Sequence, residues 1–295
     1  MDVLKKLWQN KKVLIGLAIV GTLVLMAIFA PLLTEYSPTR RVGRPHQPPS
    51  WDHIMGTTRL GHDVFTRFLY GARTSLMVGL GAGILITVIG TFLGILAGYK
   101  GGWIDEVINF FTNMVLVVPN LPLLLVLAAF IGQVNPWVIA LILGFTSWAW
   151  GVRVTRAQTL SIRERDFVKS AEMLGEPAWR IMLFEIFPNL ISIVGINFIG
   201  SVIFAVITEA TLEFLGLGDP NTVSWGIMLY NAQNASALVV GAWWDLLAPC
   251  FGLAVLGLGL ALINFAIDEM ANPRLRTGTI LGRWFGLVRA GEGKL

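Results

Sequence analysis

Two glutamates, Glu209 and Glu213, stand one helical turn apart in the otherwise apolar stretch "ITEATLEFLGLG". Carboxylates at membrane depth are costly and usually face a cavity or a partner. If the helix carrying them is still inside lipid, the pair could line the outer part of a solute path. If the helix ends sooner, the pair is solvated or bonds another chain. His46, His53 and His62 are the only histidines, and their spacing fits no compact metal motif, so a loop or interface role is expected for them and no metal site. No Gly-x-x-x-x-Gly-Lys-Ser/Thr phosphate loop, serine-nucleophile motif or zinc-protease motif occurs. The chain is expected to be neither an ATPase nor an intramembrane enzyme, and to bind no cofactor itself. Its single cysteine, Cys250, leaves no intramolecular disulfide. One further stretch stands out: "KSAEMLGEPAWRIMLFE", residues 169–185, is charged, amphipathic and interrupted by Gly175 and Pro177.

The elements that position these residues are set by solvent. Of 295 residues, 55% are hydrophobic and only 14% charged. Soluble domains average about 45–50% and about 25%. Most of this chain is therefore expected to lie in lipid. Apolar runs fall near Val13–Leu33, Leu76–Gly98, Val107–Ile131, Pro136–Val152, Leu190–Leu217 and Leu246–Ile267. Each is long enough to cross about 30 Å of hydrocarbon as a helix. In lipid only internally bonded backbones are stable, so helices are expected throughout. The first run is too long for a signal peptide and reads as a retained anchor. The fold class is all-α, a polytopic membrane protein with six transmembrane helices.

Lysines and arginines orient these spans. Lys5, Lys6, Lys11 and Lys12 precede the first; Arg153, Arg156, Arg163, Arg165, Lys169 and Arg180 lie between the fourth and fifth; Arg274, Arg276, Arg283, Arg289 and Lys294 follow the sixth. With six spans all three clusters share one side, placed in the cytoplasm together with both termini. Residues 35–74 break the rule, with six arginines on the outer side. Part of this loop, "DVFTRFLYGARTSL", looks amphipathic and is expected along the membrane surface.

Within the second span, Ser75, Gly79 and Gly83 are spaced by four, and so are Gly90, Gly94 and Gly98. Small residues on one face let helix backbones approach closely in lipid. Pro119 and Pro122 interrupt the third span, either as a plain kink or as irregular backbone lining a cavity. Trp225, Trp243 and Trp244 suggest anchors at the membrane boundary. The segment 219–245 between them either dips back into the membrane or caps a cavity.

The interrupted segment reads as two short helices. Phe167 to Leu174 can form one, Gly175 can terminate it in a left-handed conformation, and Pro177 can open another. Trp179, Ile181, Met182 and Ile186 then form an apolar stripe, and Pro188 marks re-entry into the bilayer. A short helix held beneath two spans suits docking into a groove on a soluble partner. Here the chain resembles the EAA loop of ABC importer permeases: Glu-Ala-Ala, three residues, Gly, and later Leu-Pro. Ala171, Gly175 and Pro188 match that pattern, while Lys169, Ser170 and Phe187 depart from it, Lys169 with reversed charge. Glu172 lies one turn away from Lys169.

The likeness continues over most of the chain. "HIMGTTRLGHDVFTRFLYGARTSLMVG" resembles a signature of the second permease in the dipeptide/oligopeptide importer group, through His53, Gly56, Thr57, Gly61, Asp63, Arg67, Gly71, Arg73, Ser75 and Leu76. "LAGYKGGWID", "TEATLEFLGLGDPNTVSWGIML" and "DEMANPRLR" are similar to further blocks. The resemblance implies a type I ABC importer permease fold, with an anchor and outer loop over 1–74, a permease domain over 75–271 with its coupling loop near 160–188, and a cytoplasmic tail over 272–295. It implies a second homologous permease, two cytoplasmic ATPases that carry ATP and magnesium, an extracytoplasmic solute-binding protein, and no nucleic acid. Phe167, Lys169, Ser170, Ala171, Glu172, Leu174, Gly175, Pro177, Trp179 and Pro188 become the candidate ATPase-coupling residues. Pro119, Pro122, Glu209 and Glu213 are the candidates for the translocation path. Short peptides are the implied cargo, with oligosaccharides or nickel as alternatives and an ion-coupled secondary transporter ranked lower.

Overall fold

A computed structural model describes residues 11–132 and 134–271, with the side chains of 270 and 271 excepted. The calls on Lys5, Lys6 and the tail over 272–295 lie outside these residues. The described chain is helical, and among the described residues the only β-pairing is two isolated bridges, Thr57 with Asp63 and Val134 with Gly218. The helices are α1 (Lys11–Ile28), α2 (Ala30–Leu33), α3 (Val64–Lys100), α4 (Gly102–Val117), α5 (Asn120–Ile131), α6 (Pro136–Thr146), α7 (Ala149–Arg163), α8 (Asp166–Met173), α9 (Ala178–Arg180), α10 (Phe187–Phe214), α11 (Trp225–Asn234) and α12 (Trp243–Ala271). A π-helical turn, Ile181–Ile186, joins α9 to α10.

Four helices are long and apolar enough to cross a membrane alone: α1, α3, the unbroken run Ala178–Phe214, and α12. Two bent pairs, α4 with α5 at 85° and α6 with α7 at 42°, are long and apolar enough only when the two helices of each pair are taken together. Counting each bent pair as one span gives the expected six, with the third and fourth broken. The third breaks at Val118–Pro119, where Pro119 has extended backbone and precedes the new helix. Asn120, just past this break, donates from Nδ2 to Ser147 Oγ at 3.3 Å, at the break in the fourth span. The two irregular points thus satisfy one another.

Helix α3 organises the bundle, packing on α7, α10, α6 and α1. Its two small-residue stripes are two separate seams. A methyl placed on Gly83 would meet Val202 Cγ2 of α10 at 2.6 Å, and Gly79 abuts Val206 on the same helix. Methyls on Gly94 and Gly98 would meet Cβ of Thr155 and Thr159 on α7 at 2.6 and 2.7 Å, and Gly90 lies against Gly151. Arg156 of α7 adds a bidentate bond to Asp105 of α4 at 2.5 and 2.6 Å.

Three expectations are corrected. The segment 63–76 does not lie along the membrane surface: it is the start of α3, whose 37 residues run about 55 Å, well beyond the hydrocarbon thickness. Asp63 fixes this start by accepting from Thr66 N–H at 2.8 Å, and buried His53 holds Asp63 at 2.9 Å. Arg67, one of the six unexpected outer cations, is consumed inside the fold, donating to Pro38 O and His62 Nδ1 at 3.2 and 3.1 Å. Finally, Trp225 and Trp244 are core residues and not boundary anchors. Trp225 stacks on Phe68 and donates to its carbonyl at 3.1 Å, and Trp244 donates to Thr57 O at 3.2 Å. Only Trp243 of the three is exposed.

Helix directions put two sets of loops at opposite ends. Thr34, after α1, bonds Thr66 at the start of α3, so α1 ends where α3 begins. The α8 region lies at the other end of α3, beside Ile95 and Tyr99. Lys12 at the start of α1 pairs with Glu269 near the end of α12. Gly94→Ala is expected to cost about 1–3 kcal/mol by overpacking. Gly195, on α10, has nothing within 4 Å, so Gly195→Ala is the control. Thermal unfolding of the detergent-purified full chain checks this; equal midpoints for the two variants would contradict the seam.

Candidate coupling site

Between α7 and α10 the chain makes a compact hairpin of short helices. Helix α8 starts after Arg165, whose backbone is extended, and Asp166 places an acid in its first turn, the favourable end of the helix dipole. Its end is a Schellman motif: Gly175 N–H bonds Glu172 O at 3.0 Å and Glu176 N–H bonds Ala171 O at 3.2 Å. That geometry needs a left-handed residue, and Gly175 has φ +78°. Glu176 then accepts from Arg180 one turn on, at 2.6 Å, with Pro177 as the extended residue between.

The two faces of α8 differ sharply. Val168 is fully buried in a cluster with Ile95 and Tyr99 of α3, Ile181 and Ile186 of the π turn, and Leu190 of α10; Ala171 packs against its edge. Outward, Met173 and Leu174 are 87% and 83% exposed, and Phe167 is exposed beside them. Ser170 is exposed too. Lys169, at the charge-reversed position, pairs with Glu164 at 2.9 Å. That partner lowers the Glu164 carboxyl and raises the Lys169 ammonium from their ordinary values. Both are solvent-exposed, where such pairs contribute little. Glu172 faces the Tyr99 hydroxyl at the end of α3.

One expected feature is corrected. Trp179 does not share a buried stripe with Ile181 and Ile186; it is 58% exposed, with its ring edge-on to Phe184. The π turn that follows it has i→i+5 hydrogen bonds and more residues per turn than the 3.6 of an α-helix. Ile181 and Ile186, five apart, therefore point inward together. Pro188 accounts for the turn: it has no N–H to give and its ring would strike the carbonyl four residues back in an α-helix. The wider turn lets Phe187 N–H reach Met182 O, and Asn189 Nδ2 bonds Glu185 O at 2.7 Å.

The acidic pair sits elsewhere, at the far end of α10. Both carboxylates are fully buried, so of the placements open from sequence the solvated one does not occur. Ser75 Oγ of α3 donates to Glu209 at 3.2 Å and accepts from Trp225 N–H at 3.4 Å. Ser224 Oγ donates to Glu213 and accepts from Ile227 N–H. The pair thereby ties α10 to α3 and α11. Pro119 and Pro122 are exposed at the 85° bend. Sequence reasoning missed Val168 and Met173, whose opposed burial gives α8 a buried and an exposed face; the alternation of α8 around Val168 was the available signal.

Residues 90–277 match the family model described as "Binding-protein-dependent transport system inner membrane component". The chain belongs to this family. Residues 1–49 match a second model, "N-terminal TM domain of oligopeptide transport permease C". Among similar curated proteins, the dipeptide transport system permease protein DppC of Bacillus subtilis (strain 168) is 33% identical over 279 residues, covering 93% of this chain and 86% of that protein. DppC of Alkalihalophilus pseudofirmus is 33% identical over 282 residues, covering 94% and 90%. The oligopeptide transport system permease protein OppC of B. subtilis is 30% identical over 277 residues, covering 93% and 90%. The family model runs from within α3 through α12 and so contains the whole α8 hairpin.

Gly175→Val forces a β-branched residue into the left-handed region, at about 1–3 kcal/mol of local strain. Amide exchange over 166–176 in the full chain is expected to rise several-fold while that of α3 is unchanged. Unaltered exchange across 166–176 would show that the cap does not hold α8.

Proposed function

We propose that this chain is one membrane subunit of an ATP-driven importer that carries short peptides across the cytoplasmic membrane of a prokaryote. It contributes half of the pathway, and a second homologous permease contributes the rest. Two cytoplasmic ATPases hold ATP and magnesium and dock on residues 166–180, and an extracytoplasmic solute-binding protein delivers the cargo. Both termini then lie in the cytoplasm, on the same side as α8.

One observation carries the coupling role: α8 exposes Met173 and Leu174 to solvent while burying Val168 among the ends of α3 and α10. An apolar pair this exposed on a short, capped helix favours a partner groove. A push on α8 would be carried by Val168 into both long spans, because packed cores transmit displacement instead of absorbing it. The peptide reading is favoured over oligosaccharide or nickel by the printed functions of the relatives, dipeptide and oligopeptide transport. An ion-coupled transporter would have no use for such a docking face.

Replacing Met173 and Leu174 together by Asp is expected to abolish co-purification of the ATPases. ATP-dependent dipeptide uptake in proteoliposomes should fall at least about tenfold, the loss of roughly 1.4 kcal/mol or more of docking free energy. Full ATPase retention with normal uptake would refute the docking assignment.

A further inference from the structure

At the end of the bundle opposite α8, a cavity of about 240 Å³ opens between the loop before α3, helix α11 and the start of α12. Its polar lining includes Arg59, His62, Arg67, Asn231, Asn234 and Asp245. Two of these are charged and nearly fully buried: Arg67 is 6% exposed and Asp245 2%.

The Asp245 carboxylate makes no hydrogen bond or ion pair within the described residues, although it lines the cavity. Arg67 is near enough to act on it electrostatically yet forms no ion pair with it. One guanidinium nitrogen of Arg67, Nη1, is occupied by Pro38 O and His62 Nδ1. Its Nε and Nη2 hydrogens make no bond within the described residues. His62 is held neutral: burial, then the adjacent Arg67, push it below its ordinary value. With Nδ1 accepting from Arg67, the His62 hydrogen sits on Nε2, a further donor.

A buried carboxylate without a partner is strongly destabilising. A buried guanidinium with idle donors is a second such group, and the two are held apart on rigid elements. The Asp63 cap and His53 fix the start of α3, and Trp244, next to Asp245, is pinned to Thr57 O. The cavity is smaller than the roughly 300–1,000 Å³ typical of drug-sized ligands. A guanidinium and a carboxylate that line one small cavity without pairing with each other match a small molecule that carries both charges.

We propose that this cavity binds a small zwitterion of amino-acid or dipeptide size, its ammonium on Asp245 and its carboxylate on Arg67. Asn231 and Asn234 line the same cavity, and their amides can bond the molecule's remaining polar atoms. The site lies on the side from which a solute would enter, and its assignment to a peptide in transit rests on the function proposed above. The zwitterion chemistry does not.

The test uses the assembled transporter in nanodiscs, with the solute-binding protein left out. Titration calorimetry with alanylalanine is compared with its N-acetyl form, which lacks the ammonium, and its C-terminal amide, which lacks the carboxylate. The free dipeptide is expected to bind at least about tenfold more tightly than either blocked form, about 1.4 kcal/mol per lost charge contact. In Asp245→Asn, which keeps the side-chain shape, free and N-acetyl forms are expected to bind alike. Equal affinity of free and blocked forms for the unmodified protein, unchanged affinity in Asp245→Asn, or no measurable binding would overturn the proposal. Alanine measured alongside tells whether an amino acid is preferred to a dipeptide. Dipeptide uptake by the same complex, with the binding protein restored, reports separately on the importer reading.

Discussion

In hydrocarbon an apolar side chain gains nothing by exchanging lipid for protein, so helices associate only where backbones come close enough for tight packing and polar contacts. In this chain that closeness runs along α3. Gly79 and Gly83 bring α10 against it, and Gly90, Gly94 and Gly98 bring in α7. The two stripes occupy successive halves of one helix, so α3 is a shared wall for the spans on either side of the α8 hairpin. Both strands of that hairpin therefore leave the membrane at a spacing fixed by glycine.

That spacing gives α8 its socket. Val168 enters between the last turn of α3 and the π turn that opens α10. The π turn follows from Pro188, and its wider turn brings Ile181 and Ile186, five apart, inward together to close the socket. Gly175 then ends α8 in a bonded cap, so the helix is anchored at its buried face and finished at its end. What remains free is the apolar pair Met173 and Leu174. At the opposite end of the bundle the same long helix carries Arg67, so one element reaches both the α8 hairpin and the cavity lined by Asp245.

Much of this was legible from residue types. Small residues at intervals of four announce a close seam, and Gly175 with Pro177 announces a short capped helix. The helix partnering each stripe was not legible, because that choice depends on tertiary neighbours. Tryptophans near a span end read as boundary anchors, yet Trp225 and Trp244 find partners in Phe68 O and Thr57 O that only the folded chain supplies. Of the six arginines before the second span, Arg67 and Arg73 belong to helix α3 itself, and Arg67 is buried there. The burial of Asp245 without a partner among the described residues has no sequence mark at all, since acids at helix starts are ordinarily solvated caps.

The central claim is that Val168 is the joint through which movement of α8 reaches the spans. Val168→Ala in the reconstituted complex tests it most directly, with ATPase retention, ATP hydrolysis and dipeptide uptake measured on the same proteoliposomes. The account predicts that the ATPases stay bound and hydrolyse ATP while uptake per ATP hydrolysed falls several-fold, because the docking face is intact and the socket is loose. Uptake per ATP equal to that of the unmodified chain would contradict it.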